Sequence, residues 1–231
     1  MSALYFGSSI DLGAANYSDG VKSFGANIYR THSFGIIQAY YEAGVTIGRY
    51  NVIKKRPDPY GSRDTTRINT YNNMTGPKFF GGYGFDGGLN IVVPVGRKGS
   101  EWRIIGFETS LQEEFGNYLK FRKNLPDSVS IINMKSSFFP TIGFSTEIVC
   151  KVFNTSIGYR ISIGTSLKKE NENKFGLRGI LTADGHNPFY FIQTYHYTYQ
   201  NWTLYGQLNI ASYSIFLQGG FNYKLGTKRK K

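Results

Sequence analysis

Seven ionisable residues share one phase of an alternating pattern: Glu42, Asp86, Glu108, Glu147, Lys151, Arg160 and Arg178 all fall on the polar side of stretches whose other side is largely apolar. Their signs are mixed. In a water-poor interior, opposite charges pair, and a charge left alone is costly, so these residues are expected to form a structural ion-pair network. A narrow selective path between the same groups is the alternative. Catalysis has less to work with. Hydrolysis or acyl transfer through a nucleophile needs a His beside a Ser and an acid, and His32, His186 and His196 are the only histidines. His196, between Tyr195 and Tyr197, has no Ser or acid within three residues, so only folding could assemble a triad, and no enzymatic activity is expected. No His/Cys/Asp/Glu spacing fits zinc, and no Asp-rich loop fits calcium. Gly81-Gly82-Tyr83-Gly84 lacks the strand-to-helix setting and the Lys-Ser/Thr ending of a phosphate loop. Neither a metal nor a cofactor is expected.

The formal charge of +12 is concentrated in clusters, including Lys54-Lys55-Arg56, Arg97-Lys98, Lys168-Lys169 and Lys228-Arg229-Lys230-Lys231. In the stretch from Lys54 to Gly76, Lys54, Lys55, Arg56, Arg63 and Arg67 are offset only by Asp58 and Asp64. Arginine–phosphate bonding there would suit anionic headgroups. Nothing resembles a basic helix, a zinc finger or an RNA-binding aromatic strand, so nucleic acid is not an expected partner.

The elements that carry these residues alternate with period two. Ile37, Ala39, Tyr41, Ala43, Val45 and Ile47 oppose Gln38, Tyr40, Glu42, Gly44 and Thr46, and the stretches 79–95, 105–112, 142–152, 157–163, 175–181, 189–199, 202–210 and 213–225 repeat the pattern. No apolar run is long enough for a transmembrane helix. Segments of this length and alternation are the signature of a membrane β-barrel with apolar residues to lipid and polar residues to the lumen. The mean hydropathy of −0.32 is compatible with that, because only every second residue meets lipid. Aromatics crowding the strand ends fit an interfacial girdle. Cys150, between Ile148 and Val152, is expected to be a small apolar-face residue.

We therefore expect an all-β protein: a single antiparallel up-and-down transmembrane barrel of roughly ten strands, within a range of about 8 to 12. It should span 1–226, with 227–231 as a basic tail. The pattern yields about eleven segments, whereas such barrels have even counts, so one boundary is expected to fail, at Asn209 to Ser214. His32-Ser33, Arg97 to Ser100, Asn154 to Ser156 and Gly185 to Pro188 are expected as short periplasmic turns. The longer stretches, Lys54 to Gly76, around Asn124 to Asp127, and Lys168 to Lys174, are expected as outer loops. Met1-Ser2-Ala3-Leu4 runs straight into alternation, so the numbering is expected to be that of a mature or recombinant chain, with a cleaved signal peptide absent from it.

The ending Gly219-Gly220-Phe221-Asn222-Tyr223-Lys224-Leu225-Gly226, followed by Lys/Arg, and the Gly/Tyr/Asn-rich strands resemble small outer-membrane barrels of Bacteroidota bacteria. The resemblance implies a bacterial outer-membrane location and brings no catalytic residues. Such barrels include accessory subunits of export, assembly and uptake machines, and a narrow, charge-filled lumen without a catalytic set makes an accessory or scaffold subunit of such a complex the expected role. The partners would be outer-membrane lipid, including anionic lipopolysaccharide, and other outer-membrane or periplasmic proteins. A narrow small-solute channel and a lipid-modifying enzyme are the competing readings.

Overall fold

The computed structural model describes residues 1–15, 18–54, 65–96, 99–124, 137–167, 189–211 and 214–228. Ten strands follow one another: β1 (Ser2–Ala15), β2 (Ser18–Phe34), β3 (Ile37–Val52), β4 (Gly76–Pro94), β5 (Glu101–Phe115), β6 (Phe138–Val152), β7 (Thr155–Ser166), β8 (Phe189–Tyr199), β9 (Trp202–Ala211) and β10 (Ser214–Lys228). Two short helices, α1 (Thr65–Asn73) and α2 (Asn117–Asn124), lie in the β3–β4 and β5–β6 connections. Each strand pairs antiparallel with its sequence neighbours, and β1 closes on β10, Ser2 opposite Lys228. Closure leaves no unpaired edge, the condition under which strands can cross a bilayer.

The alternation falls on the faces as its chemistry requires. Val45, Phe85, Leu89, Ile157 and Leu217 lie half or more exposed on the outer wall, at 53–63%, and Cys150 shares that outward face. Inside lie Ser, Thr, Asn, Gln, Tyr and charged residues around a cavity of about 630 Å³. An exterior this apolar around a polar interior is stable in lipid, not in water. Both tryptophans sit at the short-turn end: Trp202 packs on Tyr223 at 4.7 Å, and Trp102 donates to Thr146 Oγ1 at 3.0 Å.

Four tight connections and the paired terminal strands mark that end. The β2–β3 turn is Gly35–Ile36, where Gly35 takes φ 60°, so His32 and Ser33 belong to β2 and are not the turn. The β6–β7 turn is Phe153–Asn154 and the β8–β9 turn Gln200–Asn201. Gly185 to Pro188 lie outside the described residues, as do Phe175 to Leu181, but the β7–β8 connection that contains them starts and finishes at the opposite end. The barrel closes on the ten strands described, and the boundary near Asn209 to Ser214 stands, since Ala211 pairs with Ser214 across the β9–β10 connection.

Glycine keeps the interior open. Tyr40 lies over Gly88, Phe80 over Gly48, Tyr205 over Gly220, Tyr190 over Gly164 and His196 over Gly158, all across adjacent strands. A Cβ at Gly88 would meet the Tyr40 ring at 2.7 Å, and one at Gly48 would meet Phe80 at 2.5 Å. With hydrogen in place of each side chain, the facing ring lies against the wall instead of filling the lumen.

Candidate functional site

Three of the seven predicted ionisable residues meet in one cluster on the β5–β8 wall. Glu147 (β6) stands opposite both Arg103 (β5) and Arg160 (β7) in register. It accepts from Arg103 Nη1 at 2.7 Å, and its other oxygen contacts His196 Nε2 at 2.8 Å. Arg103 also donates twice to Glu101, at 2.7 and 3.0 Å. Arg160 donates to Glu108 (β5), to Ser145 Oγ at 3.0 Å and to Tyr40 OH at 3.4 Å, with its guanidinium 5.9 Å from the Tyr40 ring. Tyr40 is on β3, four strands from β7 in a barrel of ten, so the cluster braces the lumen across its width. Glu147 is only 5% exposed. Two guanidiniums and an imidazole around it compensate the desolvation that would make an isolated carboxylate untenable.

Glu42 and Asp86 also face the lumen but lie apart from this brace. They oppose each other directly across β3 and β4, and Glu42 accepts from Asn27 Nδ2 at 2.5 Å. Lys151 does not join the network. It lies exposed near the β6–β7 turn, where its backbone N–H donates to Ser100 Oγ at 2.9 Å. Its place on the polar phase is right, but the lumen ends before it. Arg178 lies outside the described residues.

Arg103, Glu101 and His196 are members that sequence reasoning missed. Arg103 is hidden by an irregularity: the β5–β6 register shifts between Arg103 and Gly106, and Trp102, Ile104 and Ile105 all point outward. The extra residue reverses the phase, so a pattern read from Ile105 onward cannot reach Arg103. His196 was legible, because it shares its face with Tyr190, Ile192 and Thr194. Folding supplies its acid, Glu147, but among the described residues its Nδ1 is buried without a partner and no serine joins the pair.

At the long-loop end, α2 folds back over the β3–β5 rim. Tyr118 stacks on Tyr50 at 4.0 Å and 7°, Phe121 packs near Tyr71 at 6.4 Å, and Tyr71 OH donates to Ile53 O at 3.1 Å. Burial pushes the Tyr118 hydroxyl upward from its usual range. Beneath the rings, Arg122, fully buried, donates to the buried Glu114. Of the predicted basic loop, Lys54 is exposed just past β3 and Arg67 belongs to α1, while Lys55, Arg56 and Arg63 lie outside the described residues.

A closed ten-stranded barrel with an apolar exterior, a braced polar lumen and one capped rim defines an integral membrane β-barrel. The chain matches no protein-family profile, and no curated protein matches it in sequence. Among solved structures it is similar to the translocator domain of autotransporter NalP from Neisseria meningitidis, with a TM-score of 0.46, 8% identity, and coverage of 96% of this chain and 88% of that one. An outer membrane channel from Pseudomonas putida F1 gives a TM-score of 0.41 at 10% identity, over 97% and 96% of the two chains. The NanC porin gives 0.39 at 8%, over 95% and 100%.

Proposed function

We propose that this barrel resides in a bacterial outer membrane, of the Bacteroidota type its C-terminal segment resembles, and serves without enzymatic activity as an accessory or scaffold subunit of a larger export, assembly or uptake complex. The observation that carries this reading is the brace. Arg160, Glu108 and Tyr40 join opposite walls of the lumen, and α2 caps part of the rim, which leaves the outer surface and loops as the parts best placed to act. Anionic lipid is a fitting partner. Lys22 and Arg49 oppose each other in register on the outward face near the long-loop end, a like-charge pairing that an anionic headgroup such as that of lipopolysaccharide would relieve. Extraction from native membranes in mild detergent tests the subunit role. Co-migration with the same proteins at fixed stoichiometry is expected; a barrel that emerges alone from every mild extraction overturns it.

A narrow small-solute channel is the second reading, favoured by the continuity of the cavity from Gln200 and Asn201 in the β8–β9 turn to Tyr50 and Phe80 near the other rim. Single-channel steps in planar bilayers, abolished by a lumen-blocking thiol label, would establish it in place of the scaffold role.

A further inference from the structure

The lipid-facing wall carries two cations at one edge of its apolar band. On β3 the outward positions are Ile37, Ala39, Tyr41, Ala43, Val45 and Ile47, and Arg49 follows them. Ten residue steps from Ile37 to Ile47, at about 3.4 Å each on a strand tilted by about 40°, rise about 26 Å, close to the roughly 25 Å apolar band of a membrane barrel. On β2 the outward residues Phe24, Ala26 and Ile28 are bracketed by Lys22 and Arg30. Lys22 and Arg49 thus stand at headgroup depth at the long-loop edge, and Arg30 stands at the other edge. The two edges differ. Arg30 donates to Ser2 Oγ at 2.9 Å, whereas among the described residues neither Lys22 nor Arg49 has a hydrogen-bond or ion-pair partner. The one outward carboxylate among the described residues, Glu113, is on β5 opposite Tyr83, two strands beyond Arg49.

Lys22 and Arg49 are both exposed and oppose each other directly across β2 and β3. Residues so placed have Cβ atoms about 4.5–5.5 Å apart, close enough for one anion to reach both side chains. Leu12 on β1 and Phe79 on β4 flank them in register. One row deeper lie Ile10, Phe24 and Ile47, each about half exposed, and then the Phe115 ring over Gly81. Two adjacent cations above an apolar platform four strands wide match a lipid, with its anionic group between the cations and its chains below. Charge and shape select the anion. A phosphomonoester carries about −1.5 to −2 at neutral pH and three terminal oxygens, enough for the arginine fork to take two and the lysine ammonium the third. A phosphodiester offers one charge and two such oxygens. We propose that Lys22 and Arg49 clasp the phosphomonoester of a single lipid in the leaflet at the long-loop end, its acyl chains lying on Ile10, Phe24 and Ile47. The assignment rests on the anionic-lipid partner proposed above and adds to it a place, a headgroup chemistry and a stoichiometry.

Native mass spectrometry of the full chain, released from detergent micelles, reads bound lipid directly. With dioleoyl phosphatidic acid as the phosphomonoester probe, a single retained copy is expected, held at least about fivefold tighter than dioleoyl phosphatidylglycerol, a monoanionic diester, and tighter still than dioleoyl phosphatidylcholine. Lys22→Gln and Arg49→Gln should each weaken it about fivefold, and the double variant should bind phosphatidic acid and phosphatidylglycerol alike. Lys22→Arg, which keeps the charge, and Arg30→Gln, at the opposite edge, should bind as the native chain does. If a Gln variant fails to fold by circular dichroism, Arg49→Lys takes its place; it keeps the charge but loses the fork, and should weaken phosphatidic acid about twofold or more. Undiminished phosphatidic acid binding in the folded variants, or equal binding of phosphatidylglycerol by the native chain, overturns the site and leaves the broader anionic-lipid reading standing. Equal binding of all three lipids removes both. Displacement of phosphatidic acid by equimolar inorganic phosphate would make the occupant a free anion and overturn the lipid assignment.

Discussion

Replacing Arg122 with Met tests whether α2 is held to the rim by its ion pair. In the native chain Arg122 is fully buried and Glu114 is 4% exposed, and the guanidinium also lies 5.2 Å from the Tyr118 ring. The methionine keeps most of the volume but leaves Glu114 as a buried carboxylate without its cation. Breaking a buried pair from one side costs about 3–5 kcal/mol, and loss of the desolvated cation–π contact adds about 2 kcal/mol. Because the barrel ladder is independent of this contact, the loss should fall on the cap. Hydrogen exchange reads it directly. Lys120 N–H, bonded to Gly116 O at 3.2 Å, and the amides of Phe121 and Arg122 report the opening of α2. At about 1.4 kcal/mol per tenfold, 3–5 kcal/mol corresponds to roughly 150- to 4,000-fold faster exchange, or to the unprotected rate if the cap is less stable than that. Strand amides in β3 and β4 should not change. Adding Glu114→Gln should recover most of the protection, since it removes the stranded charge. Unaltered exchange in the single variant, or a double variant as labile as the single, would refute the assignment of the pair as the latch.

Three further outcomes follow from the geometry. Spin labels at Val45, Leu89 and Ile161 should be accessible to lipid-soluble and shielded from water-soluble relaxants in bilayers; the reverse result would invert the barrel's faces. Protease added to intact cells should cut between Lys54 and Gly76, because that connection leaves the barrel at the end opposite the termini; cutting only in opened cells would reverse the orientation. Gly88→Val should push the Tyr40 ring off the wall and destabilise the barrel by about 1–3 kcal/mol through overpacking, measured by urea titration in lipid vesicles; a midpoint within error of wild type would show that the ring moves freely.

Much of this architecture was readable as alternation. β8 runs from Phe189 to Tyr199 and β3 starts at Ile37, as the pattern requires, because a strand between lipid and a polar lumen must alternate along its length. The failures have local causes. His32 and Ser33 look like a turn by composition, but the chain reverses three residues later, where Gly35 adopts a left-handed conformation that a side chain would resist. α2 was invisible because Asn117–Asn124 has little helical periodicity of its own; tertiary packing of Tyr118, Phe121 and Arg122 on the rim holds it. In the lumen, Glu108, Glu147 and Arg160 were legible by phase. Arg103 was not, since the register shift between Arg103 and Gly106 changes the phase beside it.

The abundance of glycine and aromatics has a second cause besides the interfacial girdle. A ten-stranded barrel is narrow, and eight strands are already just filled by their side chains. Large polar rings pointing straight inward would close this one. Pairing Tyr40, Phe80, Tyr190, His196 and Tyr205 each with a glycine on the adjacent strand lays these rings along the wall, so the lumen keeps both its hydrogen-bonding rings and its space. The same device positions the brace: Tyr40 reaches Arg160 from above Gly88, and His196 reaches Glu147 from above Gly158. Gly7 is the polar counterpart, with the amide oxygens of Asn27 and Asn222 instead of a ring occupying the space a side chain would take. Glycine positions thus decide which inward groups can converge, and on the β9–β2 side they converge on a cavity, whereas on the β5–β8 side they converge on one another.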